Sequence, residues 1–220
     1  MLLVDPYPIA GRSYTPMELA MAKLQNRVLP PPPVAINAME LARKLTDEPA
    51  NNDLPMSLHD ALRMSGPYKD WKAAMPPLYQ VPALHRYRNE YPHYDASAVA
   101  LDIQTHGRPI PMGQLLFHGG VWPPFLGPVQ VDQSFTTNEV FSASLCPQVA
   151  AIHGTYHPDG ALWAIKVGRT GGSKPAFVFN SDRRQRLGHE YEVVFGPGIT
   201  LTCTAVSDGQ RLRLIEVELT

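Results

Sequence analysis

Two glutamates two positions apart, two serines two positions apart and a histidine before paired glycines are the side chains here best suited to chemistry. The glutamates lie in Glu190-Tyr191-Glu192-Val193-Val194-Phe195-Gly196-Pro197-Gly198. On a strand, residues i and i+2 share a face, so the two carboxylates should project together, about 6–7 Å apart along the chain. The apolar run behind them ties the pair to a strand packed in the core. Paired carboxylates suit acid/base work or stabilisation of a developing positive charge. An exposed edge with alternating charge would give the same pattern.

The serines lie in Phe141-Ser142-Ala143-Ser144-Leu145-Cys146-Pro147, at the exit of a strand before a proline-started helix. Their hydroxyls could organise backbone groups around a ligand; equally, Ser144 or Cys146 could only cap the helix. In Leu116-Phe117-His118-Gly119-Gly120 a polar residue leaves an apolar strand, and two glycines allow a phosphate or amide to approach the backbone. A strand, a turn and a locally satisfied histidine is the plainer alternative.

The elements that must position these residues divide near residue 110. Thr15-Pro16-Met17-Glu18 joins a capping box to proline at the first helical position. Met17, Ala20, Met21, Leu24 and Val28 then share one face, so residues 16–28 are expected to be amphipathic helix. Asn37 starts a short helix to about Leu45, and Ser57-Leu58-His59-Asp60 opens a third that Gly66 is placed to end. Asp95 caps a fourth, through Val99, Leu101 and Ile103 to Gly107. Apolar runs at 115–117, 140–144, 161–167, 176–179, 190–195, 199–206 and 212–219 read as about seven strands, the last irregular near Ile215. A short helix follows Pro147. Helices first and strands later indicate an α+β domain.

The order of the three motifs resembles the mono-ADP-ribosyltransferase toxin and effector family of the Arg-Ser-Glu class. In that family an apolar strand ends in Arg-Gly, an aromatic-Ser-Thr-Ser strand leads into a helix, and Glu-x-Glu or Gln-x-Glu precedes apolar residues and a Pro-Gly turn. The similarity covers about residues 110–219, with Trp163-Ala164-Ile165-Lys166-Val167 where the intervening strand belongs. One position departs: His118 stands where this class has arginine. The sister His-Tyr-Glu class, which includes diphtheria toxin and the poly-ADP-ribose polymerases, has His-Gly there but follows it with a tyrosine motif. The sequence thus looks like a hybrid, His-Ser-Glu.

The resemblance implies an ADP-ribosyltransferase-like fold, with N-terminal helices before a mainly antiparallel two-sheet β core. It implies a helical, proline-rich extension over residues 1–55 and a catalytic domain over 56–220. NAD is then a consumed substrate, with no metal. Glu192 would stabilise the oxocarbenium-like state as nicotinamide leaves, and Glu190 would orient or deprotonate the acceptor. Ser142 would hold Glu192, while His118, Gly119, Ser142 and Ser144 would contact NAD. Whether His118 meets phosphate or ribose stays open, since imidazole can serve either. Glu at position 190 resembles members that modify arginine. The loop with Arg183, Arg184 and Arg186 corresponds to the target-recognition segment, although a solvated loop would look alike. The expected partner is a host or target-cell protein, with a nucleic-acid acceptor less favoured, and the chain is expected to be monomeric. An NAD glycohydrolase and a catalytically silent binding module are the alternatives.

Composition narrows the classes further. A net charge of −1 argues against a nucleic-acid binder that relies on bulk positive charge. Two cysteines, Cys146 and Cys203, cannot build a disulfide framework or a four-thiolate zinc site. His153 and His157 are spaced as in some metal sites, but Gly154 and Pro158 interrupt a helix there. Gly168-Arg169-Thr170-Gly171-Gly172 is not a dinucleotide-binding fingerprint, which disfavours hydride transfer. The 23 prolines, with a run at Pro30–Pro33, suggest a stiff polyproline spacer. No apolar run nears the ~18 residues that span a bilayer. The start lacks the basic and apolar regions of a secretory signal, so a soluble protein delivered into a target-cell cytoplasm without one is expected.

Overall fold

The computed structural model describes residues 1–50, 53–179 and 190–220. The first half comprises β1 (Ile9–Ala10), α1 (Pro16–Leu24), β2 (Val34–Ala35), α2 (Ala38–Asp47), α3 (Asp53–Met64), α4 (Gly66–Ala73), α5 (Pro82–Glu90) and α6 (Ala96–His106). The second half comprises β3 (Arg108–Pro109), β4 (Leu115–Gly120), β5 (Ser134–Thr136), β6 (Phe141–Ser144), α7 (Pro147–Gly154) and β7 (Ala161–Val167). It closes with β8 (Pro175–Val178), β9 (Glu192–Phe195), β10 (Thr200–Asp208) and β11 (Arg213–Leu219). Helices precede strands, as an α+β reading requires.

Local signals account for several boundaries. Thr15 and Glu18 form the complete capping box of α1, and Asn37 and Asp95 accept backbone N–H bonds at the starts of α2 and α6. The start of α5 is capped from elsewhere in the fold. Its first turn has no side-chain cap of its own; the Asp102 carboxylate of α6 accepts the N–H groups of Ala83 and Leu84 at 3.1 and 3.2 Å. A carboxylate there also complements the helix dipole.

Three helix expectations are corrected. α1 stops at Leu24, with Asn26 in the left-handed region at φ 48°. Its apolar stripe does not meet the core: Met17, Leu24 and Val28 are 76%, 80% and 92% exposed, and Ala22 is the buried residue of the helix. Periodicity reports a stripe and says nothing about what covers it. α3 already includes Asp53, ahead of Ser57, and Gly66 begins α4, with Ser65 as its N-cap.

Among the described residues nine strands form one sheet in the order β3-β8-β9-β6-β4-β7-β11-β10-β5, and β1 pairs with β2 separately. Every pairing is antiparallel except β7 with β11. The sheet narrows at β4 and β6, which share the single register pair Phe117–Ser144. Four strands lie on one side of this seam and five on the other, so the expected two-sheet core is matched only roughly, by one sheet with a narrow join. The ladder irregularity falls in β10 between Cys203 and Ala205, across from the Val217–Glu216 step of β11. Both cysteines are buried and unbridged. Among the described residues no helix is long and apolar enough to cross a membrane.

Candidate active site

The seam between β4 and β6 generates the cleft. Beyond Phe117–Ser144 the strands part, and a side chain replaces the missing ladder bond: His118 Nδ1 lies 2.8 Å from the carbonyl oxygen of Ser142. A carbonyl can only accept, so Nδ1 carries the hydrogen and donates. Burial pushes the His118 pKa down to about 4, against the favourable bond to Ser142. The ring is therefore neutral at physiological pH, and its Nε2 bears a lone pair. Phe141 and Trp163 hold it, with ring centroids 4.6 and 5.0 Å away.

The glycines after His118 serve the protein's own packing. A Cβ on Gly119 would stand 1.8 Å from the carbonyl oxygen of Ala150 in α7, and one on Gly120 would stand 2.7 Å from His118 Nε2. Helix α7 can therefore press against β4, and the histidine ring can fold over Gly120.

On the other side of the seam, Ser142 Oγ donates to Glu192 Oε1 at 2.7 Å. Tyr87 of α5 interacts through its hydroxyl with both Ser142 and Glu192. Burial is the largest influence on Glu192 and raises its pKa to about 7; the bond from Ser142 and the nearby Arg88 oppose the rise, while Glu190 adds to it. Arg88, also on α5, lies 4.6 Å over the ring of Phe179, close enough to both glutamates for their charges to support its own.

Glu190 and Glu192 both line the cleft, but by a different route from the regular strand expected. β9 begins at Glu192, and Tyr191 takes the left-handed conformation at φ 49°. For a bulky residue this is an unfavoured backbone state that needs strong tertiary support. Support is present: Tyr191 is buried, its hydroxyl donates to the His59 carbonyl at 3.0 Å, and its ring meets those of His59 and Tyr68 at 5.1 and 5.5 Å. Helices α3 and α4 thereby fix the backbone between the two acids.

Ser144 turns inward. Its hydroxyl donates to the carbonyl of Glu190 and accepts the N–H of Cys146, so it clips the end of β6 to the start of the acidic segment. His59 Nε2 lies 3.3 Å from Cys146 Sγ behind this clip, and burial raises the thiol pKa to about 11.

The cleft encloses about 450 Å³ and brings His118, Gly119, Ser142, Ser144, Glu190 and Glu192 together. Arg183, Arg184 and Arg186 lie outside the described residues. Sequence reasoning missed α5, which contributes Tyr87, Arg88 and, at its end, Tyr91. No group of three or more His, Cys, Asp or Glu residues able to hold a metal ion occurs among the described residues.

No protein-family model matches the sequence, and no curated protein resembles it in sequence. Solved structures do resemble it. Vis from Vibrio splendidus, crystallised with agmatine, is 14% identical over 82% of this chain and 73% of Vis, with TM-score 0.43. BECa, an ADP-ribosylating toxin of C. perfringens solved with NADH, is 10% identical over 70% of this chain and 46% of BECa, with TM-score 0.47. An ADP-ribosyltransferase from Clostridium botulinum is 14% identical over 77% of this chain and 96% of its own, with TM-score 0.40. The likeness is to ADP-ribosyltransferase toxins. At these identities it concerns the fold alone, and the chemistry of the cleft rests on its own side chains.

Proposed function

We propose that the chain is an NAD-consuming mono-ADP-ribosyltransferase that passes ADP-ribose to a guanidinium group of a target protein. The observation that carries this reading is the Ser142–Glu192 hydrogen bond, in a cleft shared with Glu190 and His118. Cleavage breaks the bond between ribose C1′ and the nicotinamide nitrogen, and the electron pair leaves with neutral nicotinamide. Positive charge then develops on C1′ and the ring oxygen. The ionised Glu192 carboxylate, preorganised by Ser142, stabilises that charge. An acceptor nitrogen attacks C1′, and its proton passes to Glu190. Guanidinium is a poor nucleophile while fully protonated, so a carboxylate at this position has a clear use.

His118 contributes as an acceptor. With Nδ1–H engaged by Ser142 and the ring neutral, Nε2 suits a ribose hydroxyl better than a phosphate, which calls for donors or positive charge. The same neutrality favours the second reading, a fold that has lost phosphate binding and is catalytically silent.

Nicotinamide release from NAD, followed with wild type, Glu192→Ala and Glu190→Ala, tests the proposal. Glu192→Ala should abolish release, and Glu190→Ala should retain slow hydrolysis while losing transfer. Equal activity in all three removes the assignment; failure of the wild type to bind NAD by calorimetry supports the silent module. Mass spectrometry of lysate proteins treated with enzyme and NAD identifies the acceptor, and with it whether the target belongs to another cell.

A further inference from the structure

A feature of the cleft that the reaction steps leave unused is the wall of tyrosines running from its floor to its mouth. Tyr87, 8% exposed, interacts with Ser142 and Glu192 at the reacting end. Tyr94 meets it edge to face, with centroids 4.9 Å apart. Tyr91 stacks on Tyr94 at 5.9 Å and 23°, and is 69% exposed. The wall thus runs unbroken from the carboxylate to solvent. Glu139 is exposed and lines the same cleft; burial, then Tyr91, and last the charge of Glu139 raise the Tyr94 pKa, which sets that negative charge near this wall.

We propose that Tyr91, Tyr94 and Glu139 form the entry site for the acceptor, gripping a guanidinium between aromatic face and carboxylate on its way to Glu190. This rests on the transferase reading above. Three arguments favour this ligand. A guanidinium is flat, weakly hydrated and permanently charged, so it stacks on tyrosine and pairs with carboxylate at once. The lining holds three carboxylates, Glu139, Glu190 and Glu192. Among the described residues of the lining the one arginine, Arg88, lies over Phe179 near the twin acids, and the carboxylates outnumber it three to one. A lining of this charge favours a cation over the pyrophosphate of NAD. The nicotinamide cation, for its part, must reach Glu192 and therefore belongs beside Tyr87 rather than beside exposed Tyr91.

Agmatine, a small guanidine, is the probe. Transfer to agmatine and nicotinamide release are measured with wild type, Tyr91→Ala, Tyr91→Phe and Glu139→Gln, with thermal melts confirming that each is folded. Tyr91→Ala should raise the KM for agmatine about tenfold, as loss of a partly desolvated cation–π contact implies. Tyr91→Phe keeps the ring face and should stay within about threefold of wild type. Glu139→Gln should raise the KM severalfold, and added salt should narrow its gap from wild type. In each weakened variant the ratio of transfer to hydrolysis falls. Unchanged KM for agmatine, or a rise in the KM for NAD in its place, overturns the entry site and leaves the transferase reading standing. The entry site also falls if wild type hydrolyses NAD without using agmatine. A wild type that neither binds nor cleaves NAD removes the transferase reading, and the entry site with it.

Discussion

Replacing Glu192 by Gln should make the protein more stable at pH 8 while abolishing nicotinamide release. Burial raises the Glu192 pKa from an ordinary 4.5 to about 7 in the folded chain. The folded state therefore holds this proton more tightly than the unfolded state does. The stabilising contribution is complete below about pH 4.5 and is lost as pH rises through 7. At about 1.4 kcal/mol for each tenfold change in acidity, the full loss is about 3 kcal/mol. Glu192 keeps part of its surface toward the open cleft, and screening there brings the expected value to about 2–3 kcal/mol. Glutamine has the same shape, still accepts the Ser142 hydroxyl through its amide oxygen and carries no charge to desolvate. Urea denaturation of wild type and variant at pH 4.5 and 8 isolates the effect. The variant should gain about 2–3 kcal/mol at pH 8 relative to the difference at pH 4.5, or about 5–10 °C in melting temperature for a chain this size. A difference independent of pH would mean that Glu192 ionises without strain, and the argument from burial would be wrong.

Other consequences follow from the same geometry. Nicotinamide release by the wild type should rise with pH through about 7 as Glu192 ionises, and Arg88→Gln should move that midpoint upward by removing a cation that favours the carboxylate; initial rates between pH 5 and 9 decide it. Tyr191→Phe deletes the bond to the His59 carbonyl and should lower kcat severalfold, about 1 kcal/mol, with little change in the KM for NAD. Gly119→Ala should cost about 3 kcal/mol in urea denaturation, since the added methyl would meet the rigid backbone of α7. Ser144→Ala strands the buried N–H of Cys146, and should cost about 1–3 kcal/mol.

Sequence reasoning works best in this chain where the cause of structure is local. The capping residues Thr15, Asn37 and Asp95 start helices as expected, β7 spans residues 161–167 as its apolar run predicts, and Pro147 opens α7. It fails where the cause is remote. Helix α5 starts at Pro82 without a cap of its own, because Asp102 supplies one from twenty positions downstream; Tyr87 and Arg88 are hidden with it. The spacing of the glutamates makes them neighbours on one strand face, and they do share the cleft. The left-handed Tyr191 between them depends on rings from α3 and α4 that no pattern within residues 190–195 discloses. Pro82 at a helix start and three tyrosines within Tyr87–Tyr94 are the available signals for α5.

The histidine that departs from the Arg-Ser-Glu pattern has a role in the seam that needs no ligand. β4 and β6 share one register pair, and past it the carbonyl of Ser142 has no strand partner to pair with on the β4 side. His118 is long enough to reach across from β4, planar enough to lie against Phe141 and Trp163, and able to donate from Nδ1 while staying neutral. The same bond fixes the backbone of Ser142, whose hydroxyl fixes Glu192. A single chain of contacts therefore runs from His118 through Ser142 to Glu192, and the histidine lends rigidity to the residue that holds this carboxylate.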